Sequence, residues 1–125
     1  MRLLLDTHAY LWWLSGSARL GKRARAAIAD PETPVFVSAA SIWEAAVKSR
    51  LGRLELDGAD LVAQIAENDF LELQISAAHA QMAGGLPVHH RDPFDRMLVA
   101  QAQAEELRVV SRDPVFGLYD VPTVW

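Results

Sequence analysis

Short apolar runs alternate with helix-like segments along the whole chain, and that alternation limits the fold more than any other feature. Leu3-Leu4-Leu5, Val35-Phe36-Val37 and Val109-Val110 contain no polar position, as expected of strands buried on both faces. The segments between them place apolar residues at helical spacing and end in breakers, such as Gly16 and Asp30-Pro31. Strands separated by helices need right-handed crossovers, so the chain is expected to form an α/β fold with a parallel sheet covered on both faces.

Strands are expected over residues 2–5, 35–37, 70–75, 108–111 and 121–124. Helices are expected over residues 7–15, 20–29, 38–50, 61–68, 76–83 and 94–106, the fifth ended by Gly84-Gly85. Residues 86–91 are expected to form a loop. With no linker, repeat or low-complexity tract, residues 1–125 form one domain.

Four acids sit at or just beyond strand ends, where helices begin. They are Asp6 after Leu5, Glu44 beyond Val37, Asp95 within Asp92-Pro93-Phe94-Asp95-Arg96, and Asp113 after Ser111. A parallel sheet would gather them at one edge. Carboxylates crowded together repel unless a cation sits among them. Oxygen donors of this kind favour Mg²⁺ or Mn²⁺, which would activate water and steady charge on a phosphodiester.

Helix capping is the competing explanation. Ser41-Ile42-Trp43-Glu44 matches a capping box, and Glu44 precedes Lys48 at the spacing of a surface ion pair. Asp92-Pro93-Phe94-Asp95 supplies an N-cap, a first-turn proline and a dipole-stabilising acid, and Asp113-Pro114 has the same form. Asp6 fits capping least well, because it follows directly on a strand where an uncompensated carboxylate is costly.

The absence of cysteine excludes disulfides, thiolate zinc sites and cysteine nucleophiles, and makes a cytoplasmic location the default expectation. Asp6 cuts off the leucine run too early for a signal peptide or membrane span. The net charge of −4 argues against bulk electrostatic gripping of nucleic acid. Yet residues 19–53 hold seven basic side chains against three acidic, while residues 54–125 hold four against twelve. A basic surface beside an acidic pocket suits an enzyme that holds RNA or DNA weakly and cuts it.

Other positions weigh less. His89 and His90 are adjacent, so in an extended loop they point apart and do not readily share a metal. His8 is expected to pack or hydrogen-bond near the site. Trp12, Trp13, Trp43 and Trp125 are expected in the core or at a subunit contact, with base stacking not required. The Ser111 hydroxyl is placed to orient a water or Asp113.

Four segments also carry a family resemblance, in order along nearly the whole chain. They are Leu4-Leu5-Asp6-Thr7-His8, the run from Val37 to Glu44 with Lys48 and Leu51-Gly52-Arg53-Leu54 following, the run from His90 to Ala102, and Val110-Ser111-Arg112-Asp113. In these the chain resembles the PIN-domain ribonucleases, and more closely the VapC-type toxins of prokaryotic toxin–antitoxin systems. That resemblance implies a three-layer α/β/α sandwich with a central parallel sheet and an Mg²⁺- or Mn²⁺-dependent endoribonuclease site. Asp6, Glu44 and Asp95 would be the metal-binding acids and Asp113 the fourth catalytic acid, with Thr7, Asp92 and Ser111 supporting them. Ser111 stands where threonine is common in that family. The implied partners are an RNA substrate, a cognate antitoxin and a second copy of the chain, for which apolar helix faces near Trp12 and Trp13 would suit. The rival is a non-catalytic PIN-like interaction module whose carboxylates only cap helices.

Overall fold

The computed structural model describes residues 1–125. Five strands, β1 (Leu3–Leu5), β2 (Val35–Ser38), β3 (Leu71–Leu73), β4 (Arg108–Val110) and β5 (Thr123–Val124), form one sheet. Its order is β3-β2-β1-β4-β5, and every pairing is parallel. Six helices surround it: α1 (Thr7–Ser15), α2 (Lys22–Ala29), α3 (Ala39–Arg50), α4 (Leu61–Glu67), α5 (Ala77–Gly85) and α6 (Pro93–Glu105). A 3-10 helix over Pro114–Tyr119 connects β4 to β5.

Side chains alternate across the strands, so β1 feeds two separate cores. Leu3 and Leu5 join Tyr10 of α1, Ala24 and Ile28 of α2, and Leu61 and Ile65 of α4. Leu4 faces the other way, onto Leu98 and Val99 of α6 and Phe116 of the 3-10 helix. Ala45 belongs to the first core and Ala40 to the second, so α3 spans the sheet edge between the layers. The result is the expected three-layer α/β/α sandwich. No helix is long and apolar enough to cross a membrane.

Several local expectations are corrected. Helix α5 runs through Gly84 and ends at Gly85, with Leu86 as its C-cap, because both glycines keep helical geometry and neither adopts positive φ. Ser41 is not an N-cap: it lies buried inside α3, and Ser38 caps that helix by accepting from the Ala40 N–H. The capping box occurs elsewhere, between Ser76 and His79. Only the middle of the expected 70–75 strand pairs, since Phe70 turns inward to the first core. Residue 111 falls outside β4 and residues 121 and 122 outside β5, and the 3-10 helix was not foreseen. Trp12 and Trp13 are half-buried and pack against the first core.

Register fixes where the acids emerge. Leu5 aligns with Val37 on one side and Val110 on the other, so Asp6, Ser38 and Ser111 follow at the same level of the sheet. From β1 the chain builds outward through β2 and β3, then returns to place β4 on the opposite side. The boundary between β1 and β4 is therefore a topological switch point, where ligands of open parallel sheets settle beyond the carboxyl ends.

Candidate functional site

The site has two halves, one from the β1 and β4 ends and one from α3 and α6. In the first, Asp6 caps α1, with its Oδ1 accepting from the Ala9 N–H at 2.7 Å. Burial raises its pKa, opposed by a hydrogen bond from Ser111, the Ala9 N–H and the charge of His8, while Asp113 raises it further. Asp113 caps the 3-10 helix through the Val115 N–H at 2.9 Å, and its own N–H donates to Ser111 Oγ at 3.0 Å. Ser111 thus meets Asp113 at its backbone N–H and lowers the Asp6 pKa through its side chain.

In the second half, Glu44 lies one turn inside α3, where it is only 4 % exposed. It caps nothing. Thr7 donates to one of its oxygens at 2.6 Å and Lys48 to the other. The expected surface pair with Lys48 is therefore anchored on a buried carboxylate, which an unpaired burial would penalise heavily. The Lys48 pKa is raised by its hydrogen bond to Glu44 and by the charges of Glu44, Asp92 and Asp95, with burial acting the other way. Glu44 alone contacts this ammonium, and the charges of Asp92 and Asp95 act on it without contact.

Asp92 and Asp95 divide the work at the start of α6. Asp92 is the N-cap, accepting from the N–H groups of Phe94 and Asp95 at 2.8 and 3.1 Å. That leaves the Asp95 side chain without a capping duty. Its Oδ2 lies 2.8 Å from His90 Nε2, and its pKa is pushed up to about 6. Burial is the largest cause, followed by an opposing hydrogen bond from His90, the charges of Asp92 and Glu44, and the attraction of His90.

The structure thus brings His90, Asp92 and Asp95 within 4.8 Å of one another, with the charge of Glu44 acting on Asp95, and places Asp6, Ser111 and Asp113 around one cavity. Thr7 joins the halves, directly following Asp6 while bonding Glu44. Capping alone accounts for Asp6, Asp92 and Asp113. It does not account for Glu44 or Asp95, whereas in the competing capping explanation Asp6 was the acid that fitted least well.

Sequence reasoning missed His90. The two histidines do diverge, His89 packing on Tyr119 at 5.1 Å between rings, but His90 turns onto Asp95. A histidine directly before the Arg91-Asp92-Pro93 turn was the available signal. It also missed what holds that loop. Arg96 donates to the carbonyls of Ala83, Leu86, Pro87 and His90, while the Tyr119 hydroxyl donates to Pro87 O and accepts from the N–H groups of His89 and His90. Gln101, fully buried in α6, accepts from Ser38 Oγ at 2.6 Å and so fixes the end of β2 against the helix carrying Asp95.

The donor chemistry fits a hard divalent cation. Ligand atoms of His90, Asp92 and Asp95 lie within 4.8 Å of one another, and Glu44 adds its charge to the same group. Carboxylate oxygens dominate, the preference of Mg²⁺ and Mn²⁺ rather than of softer ions.

A PIN domain family model matches residues 3–122. Among solved structures, FitAcB from Neisseria gonorrhoeae is 22% identical, with a TM-score of 0.63, over 98% of this chain and 96% of its own. VapBC2 from Rickettsia felis, bound to a DNA fragment from its promoter, is 12% identical, with a TM-score of 0.70, over 100% and 99%. A toxin–antitoxin complex from Klebsiella pneumoniae is 18% identical, with a TM-score of 0.67, over 98% and 96%. At these identities the likeness establishes the fold. No curated protein matches.

Proposed function

The chain belongs to the PIN domain family, and from that premise we propose that it is a divalent-metal-dependent endoribonuclease, the toxin of a toxin–antitoxin pair. Members of the family are generally nucleases. The observation that carries the proposal is the cluster of His90, Asp92 and Asp95, whose ligand atoms lie within 4.8 Å of one another, with Asp95 raised to about 6 by burial and by the charges of Asp92 and Glu44. Such crowding is costly to a folded protein and useful to a cation site.

Asp6, Glu44 and Asp95 would hold Mg²⁺ or Mn²⁺, with Asp92 and Asp113 completing the acidic wall. A bound ion of this kind supplies charge neutralisation at the phosphodiester and acidifies water. The protein's own groups do the rest. Thr7 and Lys48 pin the two Glu44 oxygens, Ser111 orients Asp6 and Asp113, and His90 fixes the Asp95 carboxylate. No covalent intermediate is required, and the chain has no cysteine to form one.

The similar solved structures include a toxin–antitoxin complex, which supports an antitoxin partner, and such a partner would block the acidic pocket. A homodimer and a cytoplasmic location go with the same proposal. The rival, a non-catalytic interaction module, draws on the capping roles of Asp6, Asp92 and Asp113. Glu44 and Asp95 weigh against it.

The test is cleavage of a structured RNA panel with Mg²⁺, with EDTA, and with Asp6→Asn or Asp95→Asn, thermal melts run alongside. Cleavage is expected only with metal and intact acids. Activity that survives EDTA or both substitutions rejects the metal mechanism.

A further inference from the structure

An acidic site attracts cations, so an RNA strand brought to it needs positive charge from elsewhere. Nearby cations are mostly engaged: Lys48 pairs with Glu44, and Arg96 is spent on loop carbonyls. Arg112 is not. It is exposed, belongs to none of the three ion pairs, and sits between Ser111 and Asp113 in the chain.

Two indoles hold its guanidinium, Trp12 at 5.2 Å and Trp125 at 5.8 Å from the ring centres. The indoles themselves meet edge to face, and exposed His8 packs on Trp12 with 5.5 Å between rings. Trp125 is seated by Gly21, where an added Cβ would come within 2.8 Å of the Trp125 backbone. These aromatic and basic side chains share a cavity of about 500 Å³ with Asp6, Ser111 and Asp113. A second cavity of about 580 Å³ adjoins it at His8 and Trp12 and reaches Arg19.

We propose that Arg112, Trp12, Trp125 and His8 form a nucleotide subsite beside the acids, holding the single-stranded RNA residue that flanks the bond to be cut. This rests on the nuclease function proposed above. A guanidinium stacked on indoles keeps its planar fork free and pre-oriented for a phosphate. The exposed His8 ring and the Trp12 indole offer a stacking surface that takes any base. The subsite therefore confers strand position more than base identity.

The experiment measures fluorescein-labelled single-stranded RNA binding in EDTA, where cleavage is off, across a salt series. Arg112→Gln is expected to weaken binding about tenfold and to reduce the slope of log affinity against log salt by about 0.7. Arg112→Lys should restore the slope without restoring the affinity, because charge returns but the stacked fork does not. In ¹⁵N-labelled protein, RNA should shift the indole N–H resonances of Trp12 and Trp125. That of Trp13, bonded to Asn68, should stay in place. Arg112 is exposed, so its variants should fold normally.

Unchanged affinity and salt slope in Arg112→Gln, with the wild type still cutting RNA in Mg²⁺, overturns the subsite and leaves the nuclease standing. Arg112-dependent binding by a wild type that cuts nothing in Mg²⁺ supports the RNA contact and strikes the nuclease function instead. Intact RNA binding with loss of a co-expressed protein partner marks the cavity as a protein-docking surface and overturns the proposal.

Discussion

The Thr7 hydroxyl donates to Glu44 Oε1 at 2.6 Å, fastening the first residue of α1 to the middle of α3. Ser41 Oγ lies 3.1 Å from the same hydroxyl, so three buried polar groups meet between two helices that follow adjacent strands. Thr7→Val keeps the shape and removes the donor. One Glu44 oxygen then remains buried without it, at a cost of about 1–3 kcal/mol. Thermal melts should show that loss, and cleavage should fall further than stability explains, because Glu44 is freed to follow Lys48.

Asp95 sets a pH dependence. Its pKa of about 6 lies above the ordinary 3.8, so the folded protein favours the protonated carboxyl. The stability that proton confers is complete below about pH 4 and is lost as pH rises through about 6. Asp95→Asn should therefore melt higher than the wild type at pH 7.5, by about 1–2 kcal/mol after allowing for solvent screening, and near the wild type at pH 4. Mg²⁺ should reverse that ranking by stabilising only the chain that keeps the carboxylate. Equal melting of the two chains at pH 7.5 would show that Asp95 carries no such strain.

How far the sequence disclosed this site depended on distance along the chain. Leu3-Leu4-Leu5 and Val109-Val110 announced central strands because burial on both faces leaves no polar positions, and Asp92-Pro93 announced a helix start by local chemistry alone. The capping box that competed for Glu44 was a false local pattern between Ser41 and Glu44, whereas the partner of both, Thr7, lies 37 residues from Glu44. His90 and Arg96 were missed for a related reason. Arg96 acts on carbonyls presented by a loop, and backbone acceptors leave no mark in a sequence; His90 reaches Asp95 only because that loop turns it there. The paired ends of β3 and β5 were overextended, since residues flanking a strand share its apolar character without sharing its hydrogen bonds.

Ser111 should act through Asp6. Its hydroxyl lowers the Asp6 pKa against burial, so Ser111→Ala should raise that pKa further and move the acid limb of the cleavage profile to higher pH. Loss of a group that orients a ligand typically costs about 10–100-fold in metal affinity or activity. Ser111→Thr should restore the profile, because the hydroxyl returns. A profile that keeps its midpoint in Ser111→Ala would separate Ser111 from the chemistry.

Arg96 braces the loop that precedes α6. Its guanidinium reaches carbonyls of Ala83, Leu86, Pro87 and His90 at 2.8–3.1 Å, so one planar fork closes the end of α5 and shapes the loop that delivers His90 to Asp95. Arg96→Lys keeps the charge but has no fork, and it cannot span four acceptors in fixed directions. The released carbonyls turn to water and the loop loosens, leaving the cores intact because neither contains Arg96. Hydrogen exchange should rise at the N–H groups of His89 and His90, now weakly held by Tyr119 alone, while amides of β1 and β4 stay protected. Cleavage should fall about tenfold or more, with the Asp95 carboxylate no longer oriented. Unaltered exchange at His89 and His90 would mean that Tyr119 by itself holds the loop.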